Sequence, residues 1–153
     1  MVMQTLDNTA EANIIGGLAL YPNDTDYVFH ELIGDDFEDV RLGEIYEIIK
    51  AMSAKDESID VALIRNKLPT AEYGVVLAKC AEVFNTMAHY NDYIQTVKIR
   101  SQDRRLRKTL ENMYVNQNSG TEILTVMRET LQEEESIIDG KKYDKHYTGQ
   151  YID

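Results

Sequence analysis

Apolar residues recur three or four positions apart along almost the whole of this chain, which is the spacing of one face of an α-helix. The 153 residues include only two prolines and eight glycines. These are too few for the many turns of an all-β protein. The sequence therefore predicts an all-α fold, and the absence of any repeat of 20–50 residues argues against a solenoid.

Capping and stop signals divide this pattern into seven expected helices. Their predicted starts are Asn8 or Thr9, Asp24 or Thr25, Arg41, Ser58 or Asp60, Thr70, Met87 and Thr121. The first helix is expected to stop before Tyr21-Pro22, because a residue before proline disfavours helical geometry. The second is expected to extend through Ile33 to Gly34, and the seventh to end at Asp139, before Gly140. In the first helix, Gly16-Gly17 is expected to permit close helix packing.

The sixth predicted helix, about 87–115, changes its apolar side part-way along. At about 100° per residue, the apolar residues up to Val97 lie on one side, and Ile99, Leu106, Leu110 and Met113 lie on the opposite side. A single helix in a single core has no reason to do this. The pattern predicts a helix that leaves the globular body near residues 98–101 and packs its second half against the seventh helix.

The resulting domain prediction is a small helical-bundle head at 1–97, a projecting two-helix hairpin at 98–139, and a linker or tail at 140–153. A lone hairpin buries one face of each helix and is marginally stable, so we expect a second copy to pair with it. The alternative is a hairpin that folds back on the head of a monomer. The predicted self-association residues are Ile99, Leu106, Leu110, Met113, Ile123, Leu124, Met127 and Leu131.

Charge is unevenly distributed along the sequence. The formal net charge is −11, yet residues 98–108 hold six basic residues against one acidic residue. Four of these bases are candidates for contact with an acidic partner or a phosphate: Lys98, Arg104, Arg105 and Lys108. The alternative is a solvated helix face whose bases pair with nearby acids, such as Arg107 with Glu111. Because an acidic body repels phosphate backbones, any DNA contact is expected to be weak or indirect.

No motif for catalysis, cofactor binding or metal binding is present in the sequence. It lacks the glycine-rich loop that cradles nucleotide phosphates, and its single cysteine, Cys80, excludes a cysteine-based zinc cluster. The acidic run from Asp35 to Asp39 is interpreted as a solvated loop with a helix-capping acid. We expect a non-enzymatic chain without cofactor or metal. Since no apolar run of about 18 residues and no signal-peptide pattern occurs, we also expect no membrane contact and a cytoplasmic location.

Several short motifs, in the right order from Asn8 to Leu106, resemble the N-terminal domain of DnaB-type replicative helicases. Asn8-Thr9-Ala10-Glu11-Ala12 with Ile15-Gly16-Gly17-Leu18 is similar to the opening signature of that family. The other matching segments are Val28 to Phe37, Leu42 to Ile49, Ser58 to Leu68, Asn85 to Val97, and Arg104-Arg105-Leu106. Each segment alone carries little information, and together they are specific. Two departures are Ile94, where the family usually has alanine, and Thr96, where it has an aliphatic residue.

The resemblance implies a helical head with a helical hairpin that forms a collar on a hexameric helicase. In that family the hairpins pair into dimers and then a trimer of dimers, and the domain binds primase and helicase-loader proteins. ATP hydrolysis belongs to a RecA-like motor domain whose motifs are not in this sequence. The tail after Gly140 lies where a linker to that motor would begin.

The leading hypothesis is therefore a collar and interaction domain of a replicative helicase in DNA replication. The first alternative is a stand-alone phage or mobile-element regulator or loader with the same fold. The second is a DNA-binding accessory domain that uses residues 98–108.

Overall fold

The structure is a computed structural model that describes residues 9–116 and 120–143. It contains the expected long helices and, among these residues, no strand, so the prediction of an all-α fold is confirmed. The helices are α1 (Thr9–Leu20), α2 (Pro22–Thr25), α3 (Val40–Ala54), α4 (Val61–Arg65), α5 (Ala71–Val83), α6 (Tyr90–Asn116) and α7 (Gly120–Tyr143). Short 3₁₀ turns cover Asp26–His30, Gly34–Asp36 and Met87–His89.

The chain divides into two compact units, with the boundary between Lys98 and Ile99, inside α6. We call the first unit the head and the second unit the hairpin unit. The hairpin unit consists of the second part of α6 and α7. Within the residues described, no helix combines the length and apolar character needed to cross a membrane.

Helix α1 lies at the centre of the head and is buried from Ala10 to Ala19. It packs most closely against α5, and Gly16 is the point of closest approach: a Cβ there would meet the carbonyl oxygen of Cys80 at 2.4 Å. A Cβ on Gly17 would meet the Tyr90 ring at 2.5 Å. The prediction that these two glycines permit close packing is confirmed.

Two polar side chains of α1 are buried, and both bind backbone groups of distant segments. The carboxylate of Glu11 accepts hydrogen bonds from the amides of Glu38 (2.7 Å) and Asp39 (3.2 Å), just before α3 begins. The side-chain oxygen of Asn13 accepts one from the amide of Asn85, at 3.0 Å. Buried polar groups are stable only when they are paired in this way. The polar residues of the opening signature therefore fix the loops of the head.

The prediction of a second helix from Asp24 or Thr25 to Ile33 is wrong. The structure has the single turn α2, followed by a 3₁₀ turn that ends at His30. The Tyr46 hydroxyl from α3 donates to the carbonyl oxygens of Val28 (3.1 Å) and Leu32 (2.8 Å). The Val28 carbonyl still accepts from the amides of Glu31 and Leu32, but the helical pattern ends there, and the Tyr46 hydroxyl satisfies the Leu32 carbonyl in place of a further helical amide. Packing against α3 therefore overrides the local helical pattern.

The seventh helix does not end at Gly140 as predicted, because α7 continues to Tyr143. A glycine inside a helix costs only about 1 kcal/mol relative to alanine, which is too little to force an end. The sequence also predicts a break between the sixth and seventh helices at Asn118-Ser119-Gly120. Asn118 and Ser119 lie outside the described residues, as does the tail beyond Tyr143, and Gly120 is the first residue of α7.

Candidate interaction surfaces

The buried side of α6 moves gradually around the helix. Tyr90, Ile94 and Val97 belong to the apolar core of the head. Further along, Ser101 and Met113 are buried, and five residues between them are half-buried: Gln102, Arg104, Arg105, Leu106 and Thr109. At about 100° per residue, Ser101 lies about 40° from Val97 around the helix, and Met113 lies about 160° from Val97. The predicted change of side is therefore present, and it takes place between Ser101 and Met113 and not as an abrupt reversal.

An ion pair joins the two helices of the hairpin unit. Nη1 of Arg105 on α6 lies 2.5 Å from Oε1 of Glu134 on α7, and both side chains are largely shielded from solvent. This pair lies several turns from the connection between the helices, so the helices run side by side and antiparallel. Five residues of α7 whose side chains are described are half-buried, and they lie within about 100° of one another around the helix: Ile123, Val126, Met127, Thr130 and Glu134.

The eight predicted self-association residues divide into two groups. Met113 is 3% exposed, and Leu106, Ile123 and Met127 are half-buried, so these four fill the hairpin unit itself. The other four are exposed: Ile99, Leu110, Leu124 and Leu131. We call these four residues the outer strip.

The outer strip lies on one side of the hairpin unit. Ile99 and Leu110 are about 20° apart around α6, and Leu124 and Leu131 are about 20° apart around α7. Measured from the ion-paired residue of each helix, the first pair is offset by about 130° from Arg105 and the second by about 70° from Glu134, in the same rotational sense. In antiparallel helices, offsets of the same sense point to the same side. The exposed fractions of 64% for Ile99 and 61% for Leu124 leave ample area for a partner.

At least two of the four candidate basic residues, Lys98 and Arg105, form ion pairs within the chain. Nζ of Lys98 lies 2.5 Å from Oε1 of Glu31, with both side chains mostly buried in the head. Arg105 binds Glu134, as described above. Of the other two, Arg104 is half-buried and Lys108 is exposed. Lys108 is thus the most accessible of the four to a partner.

Two ionic contacts of α6 and α7 were not found from the sequence. The pair of Arg105 and Glu134 joins residues 29 positions apart, which local spacing cannot reveal. Arg107 pairs with Asp103 at 2.9 Å, one turn before it, and not with Glu111 as suggested from the sequence. Both positions satisfy the helical i,i+4 rule, so spacing alone did not decide between them.

The acidic run from Asp35 to Asp39 contributes more hydrogen bonds to the fold than predicted. Asp39 caps α3 by accepting a hydrogen bond from the amide of Arg41, at 2.9 Å, as expected for a capping acid. Asp36, however, is buried, and its Oδ2 accepts from the amide of Ile33 at 2.7 Å. The run therefore fixes the entry into α3 instead of forming a wholly solvated loop.

Beside this run, the head has an open groove of about 500 Å³. Its lining residues come from the Gly34–Asp36 turn and the residue after it, the first three turns of α3, and the loop before α5. They are Gly34, Asp35, Phe37, Val40, Gly43, Glu44, Glu47, Ile48 and Pro69. We call this feature the α3 groove. No sequence pattern predicted this groove.

Within the described part of the chain, no group of three or more His, Cys, Asp or Glu residues is placed to hold a metal ion. The buried groups with shifted pKa values are core residues. Burial raises the pKa of the Cys80 thiol to about 12, and burial likewise raises the pKa of Tyr46 and Tyr90. The hydroxyl of Tyr90 donates to the carbonyl oxygen of Ile14 at 2.7 Å. These groups stabilise the head.

Comparison with known proteins adds one match. The family model described as the DnaB-like helicase N-terminal domain matches residues 3–99, which span most of the head and more than half of the chain. The comparison with curated proteins finds no match. The matched region contains Glu11, Gly16 and Gly17, whose contacts build the head. This chain therefore belongs to the DnaB-like helicase N-terminal domain family.

Proposed function

We propose that this chain is the assembly and interaction domain of a DnaB-type replicative helicase. Its hairpin unit pairs with that of a second copy, and three such dimers build a collar. The domain offers docking sites to a primase or a helicase loader during DNA replication. ATP hydrolysis and strand translocation belong to a motor domain of the helicase. Family membership supports this proposal, and the outer strip is the observation that carries it.

The outer strip is suited to an isologous contact. Four aliphatic side chains on one side of a two-helix unit form an apolar surface that a second copy covers with the same four residues. Burying each side chain contributes roughly 1.5–3 kcal/mol. The loss of translational and rotational freedom on association offsets several kcal/mol of that gain. We therefore expect a dimer that dissociates in the micromolar range or below.

Sedimentation velocity at tens of micromolar tests self-association directly. The wild-type chain should sediment as a dimer or larger, with trimers of dimers at higher concentration. The double variant Leu110→Glu/Leu131→Glu places charges in the outer strip and should sediment as a monomer with unchanged helical circular dichroism.

The matched control is Val115→Glu, an exposed apolar residue of α6 on the opposite side from the outer strip. It adds one negative charge to the same helix and should leave the dimer intact. A wild-type chain that remains monomeric at these concentrations would overturn the self-association proposal.

A further inference from the structure

The α3 groove has one continuous wall. Val40, Glu44, Glu47 and Ile48 occupy positions i, i+4, i+7 and i+8 of α3, so they lie on one face along about 12 Å of helix. Most of this face is open: Val40 is 71% exposed and both glutamates are exposed, whereas Ile48 is half-buried against the core of the head.

Two close approaches shape the opposite wall. A Cβ on Gly43 would meet the carbonyl oxygen of Gly34 at 2.6 Å, and a Cβ on Gly34 would meet Cγ of Glu47 at 2.7 Å. The glycines thus let the Gly34–Asp36 turn lie directly against α3. Phe37 and Pro69 complete the apolar part of the lining.

The polar part of the groove is entirely acidic. Its three charged residues are Asp35, Glu44 and Glu47, and none of the nine lining residues is Lys, Arg or His. Two of the carboxylates are held in place. Oε2 of Glu47 accepts from the amide of Gly34 at 2.7 Å, and Oε1 of Glu44 accepts from the Tyr73 hydroxyl. This hydrogen bond raises the pKa of Tyr73.

We propose that the α3 groove binds a short amphipathic segment of a partner protein, with aliphatic side chains flanked by Lys or Arg. The apolar wall takes the aliphatic side chains, and the fixed carboxylates accept the cationic groups. A groove about 12 Å long that opens along a helix face is typical of peptide docking. The carboxylates supply acceptors only, so the occupant must supply the donors and the positive charge. This inference rests on the interaction role proposed above and names a site and a partner chemistry for it.

Two fluorescent peptides of 12 residues provide the probe. They share the same leucine positions, spaced for one helical face, and carry Lys in one peptide and Glu in the other at all remaining positions. With the full chain at 150 mM salt, fluorescence anisotropy should show saturable binding of the Lys peptide and none of the Glu peptide. Equal binding of both would overturn the proposal.

A pair of matched variants locates the binding. Val40→Lys places a positive charge inside the groove, and Val75→Lys makes the same change at a 52% exposed position of α5 that does not line it. We expect Val40→Lys to weaken binding of the Lys peptide at least tenfold and Val75→Lys less than twofold. Equal weakening by both would mean that the peptide senses only the net charge, which would overturn the proposal.

A second matched pair of variants tests a groove residue that lies beyond the first turn of α3. Glu47→Gln keeps a side-chain oxygen for the Gly34 amide but removes the negative charge. Glu82→Gln makes the same change on α5, outside the groove. A three- to tenfold loss for Glu47→Gln alone is expected, and equal effects of the two variants would contradict a site in the groove.

One further measurement separates this inference from the proposal of self-association. The double variant Leu110→Glu/Leu131→Glu should bind the Lys peptide with an unchanged dissociation constant, because neither residue lines the groove. If the groove proposal is wrong and the self-association proposal is right, the wild-type chain will dimerise but will not bind the Lys peptide. If the double variant alone loses the peptide, the peptide binds at the hairpin unit and the proposed groove site is wrong.

Discussion

Arg105 on α6 and Glu134 on α7 form an ion pair across the hairpin unit, with 2.5 Å between Nη1 and Oε1. Both side chains are largely shielded from solvent, at 22% exposed for Arg105 and 12% for Glu134. A charge shielded in this way is stable only with its partner, since an unpaired, partly buried charge keeps its desolvation cost. The pair therefore favours one register of α6 against α7.

Removing one partner should destabilise the hairpin unit more than removing both. Arg105→Met and Glu134→Met should each lower the free energy of unfolding by about 1–3 kcal/mol, because each leaves one charged group unpaired. The double variant should lose clearly less than the sum of the two. Urea unfolding followed by circular dichroism measures all four proteins.

The exposed pair of Arg107 and Asp103 is the control for that cycle. Its side chains are 74% and 56% exposed, so a parallel cycle with methionine should give a coupling below about 0.5 kcal/mol. Additive losses at Arg105 and Glu134 would show that their contact does not contribute to stability.

The contact between Gly16 and α5 gives a prediction for the head. In Gly16→Ala the new Cβ would lie 2.4 Å from the carbonyl oxygen of Cys80, so α1 and α5 must move apart. Overpacking of this kind costs about 1–3 kcal/mol. Thermal unfolding should show a clear decrease in the melting temperature of Gly16→Ala.

Gly74→Ala is the matched control in α5. Its Cβ would lie 3.3 Å from Nε of Arg65, at the far end of an exposed side chain that can shift. Because alanine favours a helix over glycine by about 1 kcal/mol, this variant should be neutral or more stable. If the two variants behaved alike, the close approach at Gly16 would not be the cause.

The sequence predicted the parts of this fold that depend on local signals. The bounds of α1 and α3 follow from apolar spacing and capping residues, and the close packing at Gly16 follows from the paired glycines. The turn after α2 could not be predicted, because it depends on the Tyr46 hydroxyl reaching carbonyl groups 14 and 18 residues away.

The two interaction surfaces also differ in how far the sequence could predict them. Helical periodicity predicted the residues of the outer strip as interface candidates. It could not distinguish Leu110, which is exposed, from Met113, which is buried. The α3 groove requires the contact between Gly34 and Gly43 and the distant Pro69. No spacing rule relates these three positions, so the groove is visible only in the folded chain.

The buried thiol of Cys80 predicts a loss of stability at alkaline pH. Burial raises its pKa from the ordinary 9.0 to about 12 in the folded chain. Between these values the unfolded chain loses the thiol proton and the folded chain keeps it, so the unfolded state binds fewer protons. Stability from this group is fully present below pH 9 and decreases by about 1.4 kcal/mol per pH unit up to about pH 12.

Comparison with Cys80→Ala isolates the contribution of the thiol. Buried tyrosines such as Tyr46 also destabilise the fold above pH 10, but they do so in both proteins, so their effect cancels in the difference. The free energy of unfolding should be higher for the wild type at pH 8, because alanine leaves a small void. Urea unfolding at pH 8, 9.5 and 10.5 should show this difference shrinking with pH and then reversing. A difference that stays constant over that range would show that the folded thiol titrates as an ordinary cysteine.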